Sequence, residues 1–273
     1  MKKRLFLPLL TYPDSSSETI LENAVSLANN LNAVLCANIF DISIPPIVNP
    51  WPLFLDTDEM IQKAERQSRL KGEALEGSLR KRCAEAGVVL EIVTSNVSQP
   101  DAIDFATEQA RLYDVTLAQS EAPFAAIAEA LIFGAGRPVI LYPDRTCSGR
   151  IERVAVAWDG SRAAARALAD ASFFIDGALQ VSVISVLGEK PIEQNAASLL
   201  ADAFVARGVK ADALSFHASD RSIGDAIQSK AQELRADLLV MGGYGHSRLR
   251  EFVLGGATAD VLSKPMLPVL MSH

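Results

Sequence analysis

Residues 242–258, GGYGHSRLREFVLGGAT, combine residue types that can hold an anion without a dedicated cation. Gly242, Gly243 and Gly245 follow DLLVM (237–241), an apolar run that reads as a buried strand. Without Cβ atoms they let backbone approach a bound group closely. HSRLREFVL then suggests a short helical stretch, with Leu249, Phe252 and Val253 on one face. Gly255 and Gly256 lead into ATADVLSK, a helix whose first amides lack partners within the helix. A helix N-terminus beside bare glycine is a ready anion site, and successive loop amides can nest phosphate oxygens. The competing reading is a tight connection between strand and helix.

A second constellation is AWDGS (157–161), which puts Asp159 at the carboxyl end of a strand and Ser161 where it can cap the next helix. Asp159 either faces a ligand or caps the same helix. Ser247 and Arg248 either touch phosphate or cap and solvate the short helix; His246 could offer its amide or ring to phosphate. No lysine of a Walker A loop is present, and no G-x-G-x-x-G sits on the first turn. Nothing in the pattern assembles a catalytic base, a nucleophile or a metal-ligand set, so the expected site binds and has no catalytic or metal-ligating residue.

The elements that must position these residues occur twice. KRLFLPLLTYPDSSSETILENAVSLANNLNAVLCANIF and ERVAVAWDGSRAAARALADASFFIDGALQVSVISV each offer strand, polar turn, amphipathic helix, strand. PDAIDFATEQARLYDVTLAQ (100–119) parallels GDAIQSKAQELRADLLVMGG (224–243), each reaching an Asp, 114 or 237, at the start of a short strand. Both halves end on a proline followed by a strand, RPVILYP and LPVLMSH. A repeat this long means two related domains, 1–147 and 148–273, joined near the turn-rich YPDRTCSGR (142–150). Strands alternating with helices predict two open, doubly wound five-stranded parallel sheets with right-handed crossovers, Rossmann-like or flavodoxin-like. In the second half the strands fall near 152–158, 180–186, 211–217, 237–241 and 267–271. The helices fall near 162–174, 192–207, 222–235 and 256–263. Ligands of such sheets bind beyond the strand carboxyl ends where strand order reverses. SIPPIVNPWPLFLDTDE (43–59) is a proline-rich insertion, a surface cover or a lid, leading into a charged helix from about Asp58 to Ala86.

A formal net charge of −7 argues against a broad grip on nucleic acid or an anionic membrane. Three cysteines, Cys36, Cys83 and Cys147, form neither a disulfide framework nor a zinc site, which fits a reducing compartment. The apolar stretch Leu5–Leu10 contains Pro8 and runs into acids, so it reads as a first strand rather than a signal peptide. A cytoplasmic protein is expected.

The spacing Gly242, two residues, Gly245, nine residues, Gly255, together with VAVAWDGS and the ending KPMLPVLMSH, resembles the universal stress proteins in tandem form. Nucleotide-binding members of that family carry G-x2-G-x9-G followed by Ser or Thr. The resemblance implies ATP in the second half, with Mg²⁺ through the phosphates. It implies Asp159 on the adenine or ribose, backbone near Val186 on the base, and Gly242, Gly245, His246, Ser247, Arg248, Gly255, Gly256, Ala257 and Thr258 around the phosphates. Gly256 stands where the motif has Ser or Thr; a hydroxyl there would have to come from Thr258. In the first half Leu10 matches Asp159, and Glu121 and Phe124 stand where phosphate would need backbone, so no ATP is expected there. That half is expected to pack against the second, presenting its final strand or the adjoining surface. The final strands are natural edges, from which a homodimer is expected. The implied function is a nucleotide-dependent sensor or partner-binding module; a slow Mg-dependent ATPase and a structural module with a decayed site are the alternatives.

Overall fold

A computed structural model describes residues 2–46, 57–188, 193, 195–243 and 256–273. The first half runs β1 (Arg4–Leu9), α1 (Glu18–Asn30), β2 (Val34–Ser43), α2 (Thr57–Ala86), β3 (Val89–Ser98), α3 (Ala102–Ala110), β4 (Val115–Gln119), α4 (Ala125–Gly134) and β5 (Val139–Tyr142). The second runs β6 (Arg153–Ala157), α5 (Arg162–Asp170), α6 (Ser172–Asp176), β7 (Gln180–Leu187), α7 (Ala196–Ala206), β8 (Ala211–His217), α8 (Ile223–Glu233), β9 (Leu238–Gly242), α9 (Gly256–Ser263) and β10 (Val269–Ser272). Every second-half strand lies where alternation and flanking turns put it. The helix expected over 162–174 is two: α5 ends at Asp170, with Ala171 as its C-cap, and α6 starts at Ser172. Most of the proline-rich insertion, 47–56, lies outside the described residues.

The halves share one ten-stranded sheet in the order β3-β2-β1-β4-β5-β10-β9-β6-β7-β8. Within each half the strands are parallel, and the first strand lies between the second and the fourth, so order reverses at β1/β4 and at β6/β9. At the seam β10 pairs antiparallel with β5, Leu270 opposite Ile140. The final strands therefore occupy each other's edges, as the packing expectation for the first half allowed, and they are not left open for a further copy; among the described residues the outermost strands are β3 and β8.

Helices cover both faces. On one, Leu21 and Leu27 of α1, Leu79 of α2, Ala167 of α5, Phe174 of α6 and Phe204 of α7 pack over Leu7, Ile140, Leu270 and Val240. On the other, α3, α4, α8 and α9 pack over Phe6, Leu141, Met271 and Leu239. Burying whole strands between two helical layers explains why they read as continuous apolar runs rather than alternating ones. Among the described residues no helix is long and apolar enough to cross a membrane.

Sequence details fix the local turns. Ser17 and Ser161 cap α1 and α5, their hydroxyls accepting from the amides of Ile20 and Ala164. The two repeated aspartates do one job: Asp114 accepts the amide of Arg4 at 2.8 Å, and Asp237 accepts those of Glu152 and Arg153 at 2.9 and 2.8 Å. Each ties the start of its half's first strand to that of the fourth. Pro8, lacking an amide, is tolerated in the interior strand β1 because pairing with β4 covers only Leu5 and Phe6.

The joint between halves is seated on α1. Asn23, fully buried, donates to the Arg145 carbonyl at 3.0 Å and accepts the Cys147 amide at 2.7 Å. Ser26 donates to the Ser148 carbonyl at 2.6 Å. Gly149, at φ +66, lies directly against the α1 backbone. Cys36 and Cys83 are buried, and burial pushes the Cys83 thiol up to about 11; Cys147 is half-buried, its thiol also raised by burial. None is poised as a thiolate.

Candidate functional site

β6 and β9 are hydrogen-bonded neighbours at the strand-order reversal, so the carboxyl ends carrying Asp159 and Gly242 lie side by side. Beyond Ala157, the Trp158 amide donates to Ile184 on β7 and the Trp158 carbonyl accepts Ser185 Oγ at 2.6 Å. These bonds fix where the strand stops. Gly160, at φ +71 and exposed, then turns the chain into α5. Asp159 is half-buried, and its Oδ1 accepts the Ser161 amide at 3.0 Å. The carboxylate is thus held at the turn by the helix it precedes, the local role sequence leaves open for it.

Gly242 has a packing reason that sequence could not reveal. A Cβ there would lie 2.4 Å from the Ala163 carbonyl carbon and 2.5 Å from the Ala164 nitrogen, so the end of β9 presses on the first turn of α5. That approach narrows the space between the β9 exit and the Asp159 turn. Gly242→Ala is expected to lower stability by about 1–3 kcal/mol through overpacking. Urea unfolding would measure it, and an unchanged midpoint would mean the backbones separate freely. Gly243 serves the seam: its amide donates to the Ser272 carbonyl at 2.8 Å, and a Cβ would lie 3.1 Å from Ile132 and 3.4 Å from Phe133 of α4.

Gly256 is different. It is exposed at the start of α9, and among the described residues a Cβ on it would meet nothing within 4 Å. No described neighbour calls for glycine there. Ala257 is half-buried and Thr258 is buried, 5% exposed. α9 is held by α8: Gly224 allows the close crossing, its amide donating to Asp260 Oδ2 at 3.2 Å. Gln228, fully buried, donates to the Lys264 carbonyl and accepts the Met266 amide, fixing the turn into β10. Val186 ends the buried part of β7, paired with Phe216 of β8. Next to it, a cavity of about 240 Å³ is lined by Phe216, His217, Arg221 and Lys230 among others. Gly245, His246, Ser247, Arg248 and Gly255 lie outside the described residues.

The corresponding crevice of the first half is filled. Leu10 stands at the end of β1, its amide and carbonyl tied to Ser16. At the end of β4, Gln119 accepts the Ser17 amide at 3.1 Å and donates to its hydroxyl at 2.9 Å, bridging the strand to the cap of α1. Phe124, Ile127 and Leu131 line what remains, a cavity of about 20 Å³, room for one water molecule. Gln119 is a closing residue that spacing alone does not flag. Among the described residues no cluster of three or more His, Cys, Asp or Glu could hold a metal ion.

Comparison with known proteins sets this site in a lineage. The family model described as "Universal stress protein family" matches residues 150–273. A universal stress protein of Synechocystis sp. is 48% identical over 46 residues, 17% of this chain and 16% of that protein, so the match spans a small part of the relative's length. Among solved structures, a universal stress protein from Archaeoglobus fulgidus is similar over 99% of this chain and 96% of its own, with a TM-score of 0.73 at 17% identity. A functionally unknown protein from Pseudomonas aeruginosa PAO1 is similar over 99% and 92%, with a TM-score of 0.58 at 14% identity. At such identities these two likenesses speak for the fold. The family match falls on the half with Asp159 and Gly256, and the fold match runs through both halves. The second half, residues 150–273, thus carries the signature of the universal stress protein family, and the whole chain has the fold of a solved universal stress protein.

Proposed function

We propose that the second half binds ATP, with Mg²⁺ carried by its phosphates, and that this nucleotide-dependent state makes the protein a cytoplasmic sensor or partner-binding module. The observation that carries the reading is Gly256: an exposed, uncrowded glycine opening α9, in the half where β6 and β9 present Asp159 and Gly242 together. A helix start free of side-chain bulk favours phosphate through its unpaired amides and the helix dipole. Asp159, at the β6 exit, is the residue to meet ribose or adenine, and the backbone near Val186 would border the base. The spacing Gly242, Gly245, Gly255 adds sequence support for the phosphate end.

Efficient phosphoryl transfer needs positioned cations and an oriented nucleophile. The sequence motif offers no dedicated base and no Walker-type lysine, so the reading is of a binder rather than a dedicated enzyme. The test is thermal melting with and without ATP–Mg²⁺ after stripping bound nucleotide. Ligand at ~100 times its dissociation constant should stabilise the fold by about 2.7 kcal/mol. No shift, with no nucleotide extracted from the purified protein, would leave the second half a structural module.

A further inference from the structure

The sheet ends at two edges of different character. β8 carries Asp212 and His217 and follows Lys210, polar and charged groups of the kind that discourage another strand from pairing. β3, VLEIVTSNVS, is longer, ten residues, and pairs with β2 along its whole length. On its other side no strand lies among the described residues. It contains no proline and no basic residue, and its one charge, Glu91, is held by Arg4 at 2.5 Å. Leu90 and Ile92 pack into the core beneath α1 and α2. Val89 and Val93, on the opposite face, are 49% and 59% exposed. Every second residue of an edge strand points its amide and carbonyl away from the sheet.

We propose that β3 is a self-association edge: two copies of this chain pair their β3 strands antiparallel, about a two-fold axis perpendicular to the sheet at Val93. A second copy fits this edge for reasons written into the strand itself. Antiparallel residues directly opposite share a face, so a two-fold must centre on a residue rather than between two. Centred on Val93, it sets the exposed Val93 against its own copy and the exposed Val89 beside Val97, which is already buried in its own chain. Glu91 then faces Ser95, Ile92 faces Thr94 and Leu90 faces Asn96, so no acid opposes an acid. Such an interface is isologous and closes at two chains. The fold already joins one pair of edges antiparallel, β5 to β10, between its related halves. The resulting assembly is one continuous sheet across both chains.

Sedimentation equilibrium on the full chain tests this. Wild type should give the mass of two chains. Val93→Lys, which puts a charge on each side of the axis at an exposed position, should give the mass of one, with unchanged circular dichroism. Ser215→Lys, at an exposed position of β8, should remain dimeric. A wild type that stays monomeric at every concentration, a V93K protein that stays dimeric, or dissociation by S215K instead would each overturn the assignment. Hydrogen exchange provides a second readout on the unmodified protein: alternate amides of β3 should lose protection on dilution, and protection independent of concentration would also overturn it.

Discussion

Gly149→Ala is expected to be the most damaging small substitution outside the sheet, costing about 2–5 kcal/mol of stability from two separate sources. The residue sits at φ +66, a conformation that strains any residue with a Cβ. The added carbon would also fall 2.4 Å from the Ser26 carbonyl carbon and 2.6 Å from the Leu27 nitrogen, backbone atoms inside α1 that cannot rotate aside. The joint would have to lift, taking with it the bonds from Asn23 and Ser26. Gly87→Ala separates the two costs: its φ is +69, but nothing lies within 4 Å, so only the backbone strain of about 1–2 kcal/mol applies. Urea unfolding of both variants gives the comparison. Equal losses would mean that contact with α1 contributes nothing.

Gly256→Asp should do the opposite, leaving the fold intact while removing the proposed ligand. Its surroundings are open, and an acid in the first turn of α9 favours the helix by about 0.3–1 kcal/mol. The same carboxylate would stand among the amides that are to receive phosphate. Repulsion of about 1.4 kcal/mol or more in this partly solvated setting weakens ATP on the order of tenfold or beyond. Calorimetry with ATP–Mg²⁺, beside a melting curve without ligand, reads both effects. A variant that melts normally and binds ATP like wild type would remove the α9 N-terminus from the site.

The sequence was most legible where local signals are strong. Alternating strands and amphipathic helices, the serine cap at 161, and the repeated aspartates at 114 and 237 all mark elements through interactions with near neighbours in the fold's repeating unit. The adjacency of Asp159 and Gly242 followed from the strand order common to doubly wound sheets. What stayed hidden depends on distant backbone. Gly242 reads as a phosphate glycine, and its close approach to Ala163 and Ala164 adds a packing requirement that spacing does not show. Gly149 looked like linker punctuation but is required by α1. Gln119 looked like the end of a strand but closes the first-half crevice against Ser17. The break at Ala171 and the merging of two sheets into one likewise depend on packing that no local pattern encodes.

The seam between β5 and β10 has a consequence for how the two halves can change. Two separate chains joined this way would come apart on dilution, whereas a short tether gives the partners an effective concentration on the order of millimolar. Ten residues separate β5 from β6, and they are fastened to α1, so the pairing no longer depends on how much protein is present. It also frees the halves from identity. In an assembly of identical chains, any substitution that fills a crevice fills both copies at once. Here Leu10, Gln119 and Phe124 occupy one crevice while Asp159 and Gly256 stand in the half with the other, and one sheet accommodates both. Tandem fusion turns a symmetric pair into a molecule whose halves can specialise independently.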